Sequence, residues 1–201
     1  LRVDYNNHRA YANADIIDRC LNSAPKNFKL YNQERTKYTL IGGDNVHFVA
    51  DSTQIKFYDM EKNEVRPPTT QDMLHHAIIV DKCENISLQA GMQVSDVPRE
   101  MADVYRYLIV LLNSDKPVYS AFFTHNSFDV FEKMQLALAK DSQDIRNKPT
   151  HIVPSNISSP LSWSSVGCIN LVRAAEMGVP SWLIPIPLAG ATSPATMMGT
   201  L

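Results

Sequence analysis

Cysteine is scarce: only three occur in 201 residues. Cys20, Cys83 and Cys168 are odd in number and far apart, with no CxxC spacing and no neighbouring histidine pattern. Such usage points to a reducing compartment, to buried thiols and hence to a cytoplasmic protein. Charge of one sign is also missing. The formal net charge is -2 with both signs scattered, so there is no electrostatic footprint for DNA, RNA or an anionic membrane surface. Long apolar runs are absent too: "YLIVLL" (Tyr107 to Leu112) is typical and falls far short of the roughly 20 residues that span a bilayer. The opening "LRVDYNNHRA" has no basic region followed by an apolar core and no initiator Met. It reads neither as a signal peptide nor as a natural N-terminus, and the expectation is a fragment of a longer chain.

Several catalytic signatures are likewise missing. No GxGxxG follows any strand, and no GxSxG elbow, P-loop or HExxH occurs, which removes the signatures of the common dinucleotide, hydrolase, nucleotide and zinc-protease sites. A metal site needs three or four convergent ligands, and no His, Cys or carboxylate cluster supplies them, so no directly bound metal is expected. His75 and His76 are adjacent; on a helix they point in different directions and cannot chelate as an i, i+4 pair would.

What is present is an ordinary globular composition, 44% hydrophobic and 20% charged, enough for one substantial core. Two regimes follow each other. Residues 1–68 hold an amphipathic helix, Ala14 to Ala24, then the β-type runs "FKLYN", "YTLIG", "VHFVA" and "IKFYD" between turn residues, which reads as a small antiparallel subdomain. "RPPTT" is a stiff linker and helix start, with Thr69 or Thr70 as N-cap.

From residue 69 to 201, helix and strand alternate. Met73, Leu74, Ala77, Ile78 and Val80 mark one helix; Met101, Val104, Tyr105, Leu108, Leu111 and Leu112 a second; Val130, Phe131, Met134 and Leu138 a third. A last helix from near Ser162 carries Val166, Ile169, Leu171 and Val172 and stops at Gly178 before Pro180. Strands start near Asn85, Pro117, His151 and Ser181, a βα unit per step. Alternation at this period implies a parallel sheet, and without GxGxxG a barrel is favoured over a doubly wound sheet. The expected fold class is therefore α/β, a partial (βα)8 barrel of about four units preceded by the small helix and antiparallel β subdomain.

In a barrel the active face lies at the C-terminal ends of the strands. His125 is the titratable base there, a candidate catalytic residue. The Ser-rich stretch "PSNISSPLSWSS" reads as a turn and N-cap ahead of the helix near Trp163. Lys116 and His151 fall where strands begin and read as structural, so a Schiff-base role for Lys116 is rejected. In "IPIPLAGATSPATMMG" (Ile184 to Gly199), Pro185 and Pro187 release the strand end from pairing and stiffen the exit. Ser193 then fits an N-cap and Pro194 a first helical position, leaving backbone N–H groups aimed at an anion or carbonyl oxygen at the barrel mouth.

The stretches "GGDNVHF", "DMEKNEVRPPTTQDM", "QVSDVP", "KPV", "SSPLSWSS", "AAEMGVP" and "IPIPLAGATSPATMMGTL" run in order from about Gly42 to Leu201. Through them the sequence resembles the trimethylamine methyltransferase family, corrinoid-dependent enzymes that include pyrrolysine-containing members and relatives acting on glycine betaine. The resemblance implies a βα barrel that presents a methylated tertiary or quaternary amine to the cobalt of a separate corrinoid (cobalamin) protein. It also implies that this chain is a fragment, because family members are much longer. Ser159, Pro160, Pro187, Gly190, Ala191, Thr192 and Ser193 become candidate substrate-binding wall positions. A cationic substrate favours aromatic faces, and Phe122, Phe123 and Trp163 are available; Phe122 and Phe123 alternate, so at most one faces inward, and Phe123 and Trp163 are taken as candidates.

Two other readings are weighed against this one. A βα-barrel lyase or aldolase would use His125 as general base. A non-catalytic half-barrel subunit would act through assembly, since its open strand edges demand a partner or self-pairing, and a homo-oligomer is expected.

Overall fold

A computed structural model describes residues 2–7, 9–50, 53–158 and 162–196. A short antiparallel pair, β1 (Arg2–Asp4) and β2 (Arg9–Tyr11), precedes helix α1 (Ala14–Ser23). The next strands are β3 (Asn27–Tyr31), β4 (Tyr38–Gly42), β5 (Phe48–Val49), β6 (Phe57–Asp59) and β7 (Glu64–Arg66). Then follow α2 (Thr70–Lys82), β8 (Ile86–Leu88), α3 (Arg99–Asn113), β9 (Val118–Tyr119), α4 (Ser127–Leu138) and α5 (Ser142–Asn147). The chain continues with β10 (His151–Ser158), β11 (Ser162–Trp163), α6 (Ser165–Met177) and β12 (Ser181–Pro185).

The strand pairing differs from the sequence reading at one informative place. β3 pairs β4 and β6 pairs β7, both antiparallel, but "VHFVA" does not join them: β5 lies parallel to β8. A parallel bridge from Gln89 to Val118 carries β8 to β9; β9 is parallel to β10, and β10 to β12. The parallel strands thus run β5, β8, β9, β10, β12 in chain order, with no reversal of order among the described residues. Gly42 and Gly43, both at positive φ, turn the chain out of β4 toward β5.

The two faces of these strands are covered by different layers. Val118 and Val153 point into the large cluster formed with Met73, Ala77, Tyr107, Phe131 and Ala174 of the helices. Their neighbours Tyr119 and Ile152 point the other way, with Leu88, and are closed over by Leu30, Phe28 and Ile41 of the β3–β4 hairpin. A backbone bond from Tyr31 N–H to the Pro149 carbonyl, 2.7 Å, ties the hairpin to the start of β10. Full burial of side chains such as Leu30, Leu88 and Ile152 contributes about 1.5–3 kcal/mol each.

The helices form where the spacing predicts, yet several bury a different face. Met101 and Leu112 of α3 are exposed, while Ala102, Asp103, Arg106, Tyr107, Ile109 and Val110 are buried. In α6 the buried residues are Gly167, Asn170 and Ala174, and Ile169 and Val172 face outward. An apolar stripe locates the core only when the core contains no polar side chains, and here it contains a carboxylate, a guanidinium and an amide. The thiols were expected to be buried; instead Cys20 and Cys168 are exposed and Cys83 is half-buried. α6 starts at Ser165, three residues beyond the predicted start, because Ser162 and Trp163 are spent on a strand.

Lys116 has the structural role expected of a residue at a strand entry. Its ammonium donates to the carbonyls of Val80, Cys83 and Ile86 at 2.6, 2.5 and 2.6 Å, closing the C-terminal turn of α2 and the start of β8. Burial pushes its pKa below the usual lysine range. Lys116→Met removes three charge-assisted bonds, although the Val80 and Cys83 carbonyls keep the Cys83 and Ile86 amides as donors, and we expect urea unfolding to show a loss of about 2–4 kcal/mol. A loss below ~1 kcal/mol would mean that water replaces the ammonium without cost.

Candidate functional site

The segments that leave the C-terminal ends of β9, β10 and β12 carry the candidate residues, and each segment is built differently. β9 is only two residues long and leaves the sheet at Ser120. β10 continues past it, and the edge that β9 vacates is taken by β11, which folds back antiparallel with Trp163 opposite Ile157. The described parts of the Ser-rich stretch are therefore an antiparallel strand pair followed by an N-cap: Ser164 Oγ accepts the Gly167 amide at 2.9 Å to start α6. Ser159 and Pro160 lie outside the described residues.

Between the end of β9, β10 and the N-terminal turn of α6 lies a cleft of about 180 Å3, lined by Ala121, Phe123, Pro154, Ser164, Gly167 and Asn170. Asn170 is 3% exposed. Its Nδ2 donates to the Phe122 carbonyl at 2.8 Å, while its Oδ1 is buried without a hydrogen-bond partner. Sequence reasoning passed over Asn170 because it sits among apolar residues of α6. A polar residue on a buried face was the available signal, and it becomes visible only once that face is known. A larger groove, about 800 Å3, opens at the opposite ends of the strands against Phe28, Lys29, Pro149 and Trp182. It is remote from the segments that leave the C-terminal strand ends.

His125 is exposed, and its Nε2 lies 3.3 Å from Ser165 Oγ at the start of α6. Phe123 is 44% exposed, but the Arg106 guanidinium sits 5.6 Å from its ring centroid. That ring already faces a cation, which disfavours a second one on the same face. Trp163 is 37% exposed, and no protein cation stacks on its ring among the described residues. A further aromatic pair, Tyr119 and Trp182, meets edge to face at 5.6 Å.

After β12 the chain closes a tight turn at residues 188–193. Ala191, Thr192 and Ser193 all donate their amides to the Leu188 carbonyl, at 3.0, 3.0 and 3.2 Å. Thr192 Oγ1 accepts the Leu188 amide at 2.9 Å, and Gly190 N–H donates to the Ser193 carbonyl with φ +79. The amides of Ala191, Thr192 and Ser193 precede or belong to the expected N-cap, Ser193; the helix N-terminus expected to face an anion or carbonyl oxygen would begin beyond it. Ser193 and Pro194 lead into a bend at 195–196, and the residues that would continue a helix lie outside the described ones. Pro187 is half-buried just before the turn, and Ser193 Oγ is buried without a hydrogen-bond partner. The structure brings His125 and Phe123 together with the start of α6, and it gathers Pro187, Gly190, Ala191, Thr192 and Ser193 in a separate closed turn.

Comparison with known sequences decides the family. The sequence model described as Trimethylamine methyltransferase (MTTB) matches residues 2–201. The chain belongs to the trimethylamine methyltransferase family. Within that family it is 26% identical over 197 residues to the glycine betaine methyltransferase of Desulfitobacterium hafniense (strain Y51), covering 96% of this chain and 40% of the relative. It is 22% identical over 201 residues to the trimethylamine methyltransferase MttB of D. hafniense (strain DSM 10664 / DCB-2), covering 100% of this chain and 40% of the relative. The trimethylamine methyltransferase MttB of Methanosarcina thermophila is 24% identical over 193 residues, covering 92% and 40%. The chain thus spans 40% of the length of these curated relatives. Among the described residues of this family member, no three His, Cys, Asp or Glu side chains converge as a metal site requires, and no helix is long and apolar enough to cross a membrane.

Proposed function

We propose that this chain is part of an enzyme that moves a methyl group from a methylated amine to the cobalt of a corrinoid protein, and that its parallel strands are one side of a (βα)8 barrel. The observation that carries the reading is the family match along residues 2–201, with relatives named for trimethylamine and glycine betaine. The chain-order parallel strands support the barrel, since a doubly wound sheet reverses its order at a switch point. The rim placement of His125, Phe123 and Trp163 agrees with an active face at the C-terminal strand ends.

The corrinoid, carried by the partner protein, supplies the nucleophile that accepts the methyl group. This chain's residues bind the amine, orient one N–CH3 bond outward and exclude water. The C–N bond breaks with its electron pair left on nitrogen, so a quaternary ammonium departs as a neutral amine and needs no general acid. His125 matters in this scheme for a tertiary amine, whose nitrogen must be protonated before it can leave. The open face of Trp163 is the better cation surface, because Arg106 occupies the Phe123 ring.

The test is methyl transfer by the full chain from glycine betaine and from trimethylamine to reduced cobalamin, followed by cobalt absorbance and by release of the demethylated amine. Turnover with either amine supports the reading, and no demethylated product from either would reject it. Trp163→Ala is expected to raise KM for the ammonium substrate about tenfold with kcat within about twofold, the loss of one cation–π contact. An unchanged KM would remove Trp163 from the site.

A further inference from the structure

The turn that carries Phe123 and His125 has no cap of its own: Asn126, at the N-cap position of α4, makes no side-chain cap bond. Its order comes from α3. Asp103, fully buried, accepts the Phe123 amide on Oδ2 at 2.6 Å and the Ser127 hydroxyl on the same oxygen at 3.3 Å. Thr124 Oγ1 lies 2.6 Å from Ser127 Oγ, extending the chain of hydrogen bonds along the turn.

One helical turn along α3, Arg106 is 1% exposed. Its guanidinium donates to the Ala121 carbonyl and, at 3.2 Å, to Thr53 Oγ1. Thr53 is a β-branched residue at φ +63, a conformation that persists only where its surroundings impose it. The Gly91 carbonyl accepts the Thr53 amide at 2.8 Å and completes that restraint. Two side chains of one helix thus hold the Thr53 hydroxyl beyond β5 and backbone beyond β9. Their arrangement is costly, because Asp103 Oδ1 and Arg106 Nε are buried without hydrogen-bond partners. No ion pair within 4.0 Å joins Asp103 to Arg106 among the described residues. A pair kept for stability alone would be closed, since a closed buried pair offsets its desolvation far better than two separated charges do.

We infer that Asp103 and Arg106 are positioning residues of the rim: Asp103 fixes the Phe123–Ser127 turn and Arg106 ties that turn's base to Thr53, so that the candidate site on the β9 segment is held from beneath by α3. The hydrogen-bond geometry stands by itself, and its bearing on methyl transfer rests on the function proposed above. Phe123 gains a fixed backbone from Asp103 and a stacked cation from Arg106, which orients the ring at the wall of the 180 Å3 cleft.

Amide hydrogen exchange of the full chain tests the inference without reference to activity. Asp103→Leu is expected to speed exchange at the Phe123 amide about tenfold to a hundredfold, with Val118 and Val153 changed by less than about threefold. Asp103→Asn keeps one acceptor oxygen and shape, and decides the matter if the leucine variant does not fold: exchange at Phe123 is then expected to rise several-fold, about the difference between a charged and a neutral acceptor. Arg106→Lys, which can reach one acceptor at a time, is expected to speed exchange at Thr53 while sparing Phe123. Exchange at Phe123 that is unchanged, or that rises equally at Val118 and Val153, overturns the inference and leaves a purely structural role. In the methyl-transfer assay, Asp103→Asn should lower kcat more than it raises KM. Local loosening at Phe123 with no measurable turnover in the parent would reject the proposed function and leave the positioning role intact.

Discussion

Lowering the pH from 7.5 to 5 should cost this fold about 2 kcal/mol through His151 alone. His151 is fully buried, with ring centroids of Phe131, Tyr107 and Phe122 at 4.7, 5.0 and 5.8 Å. Its Nε2 lies 3.0 Å from the Ser120 carbonyl; a carbonyl can only accept, so Nε2 carries the hydrogen, and Nδ1 has no hydrogen-bond partner. Burial pushes its pKa down to about 3, the nearby Arg106 charge adds to the fall, and the bond to Ser120 opposes it. The sign follows from proton counting. Below about 6.5 the unfolded chain binds a proton at this histidine that the folded chain refuses, so the unfolded state is favoured by about 1.4 kcal/mol per pH unit until the folded pKa is reached. Stability is therefore complete above about 6.5 and is lost progressively toward 3. Between 7.5 and 5 most carboxylates stay ionised, which isolates the effect. Urea unfolding at several pH values should show the slope in the parent, and His151→Phe should flatten it while lowering stability at pH 7.5 by leaving the Ser120 carbonyl bare. An equal slope in both proteins would place the proton elsewhere.

Phe131→Ala should remove about 3–5 kcal/mol, the range for deleting a fully buried aromatic ring. Phe131 lies 4.9 to 5.4 Å from the rings of Phe122, Phe128 and Tyr107, and 4.7 Å from His151. Tilted and edge-on pairs at these separations add to the burial energy. The effect should also reach the rim, because Phe122 in this cluster offers its carbonyl to Asn170, which lines the cleft. Equilibrium unfolding gives the magnitude. A loss under ~1.5 kcal/mol would show that the cluster repacks, and that the rim does not depend on it.

The elements of this protein were legible in the sequence because local rules govern them. Capping at Thr69, the Gly178 and Pro180 ending of α6, and strands entering near 86, 118, 151 and 181 all follow from residue chemistry within a turn or two. The ordered family stretches gave the family as well, and the match over residues 2–201 agrees. His125 and Phe123 could be named because they follow a predicted strand.

Long-range pairing was decided only in three dimensions. Nothing local in "VHFVA" distinguishes a hairpin strand from one that runs parallel to β8, since both want the same alternating apolar residues. The antiparallel pairing of β10 with β11 fills the edge that the short β9 leaves open. The amides of Ala191, Thr192 and Ser193 converge on the Leu188 carbonyl, a choice set by the turn's closure. Asp103, Arg106 and Asn170 sit on helix faces that hydropathy assigns to solvent; they are buried because the strand ends beneath them offer unpaired amides and carbonyls. The sequence determined by itself the long helices, the parallel strands between them and the family they compose. The tertiary structure decided which backbone groups at the rim are left open, because that depends on partners dozens of residues away.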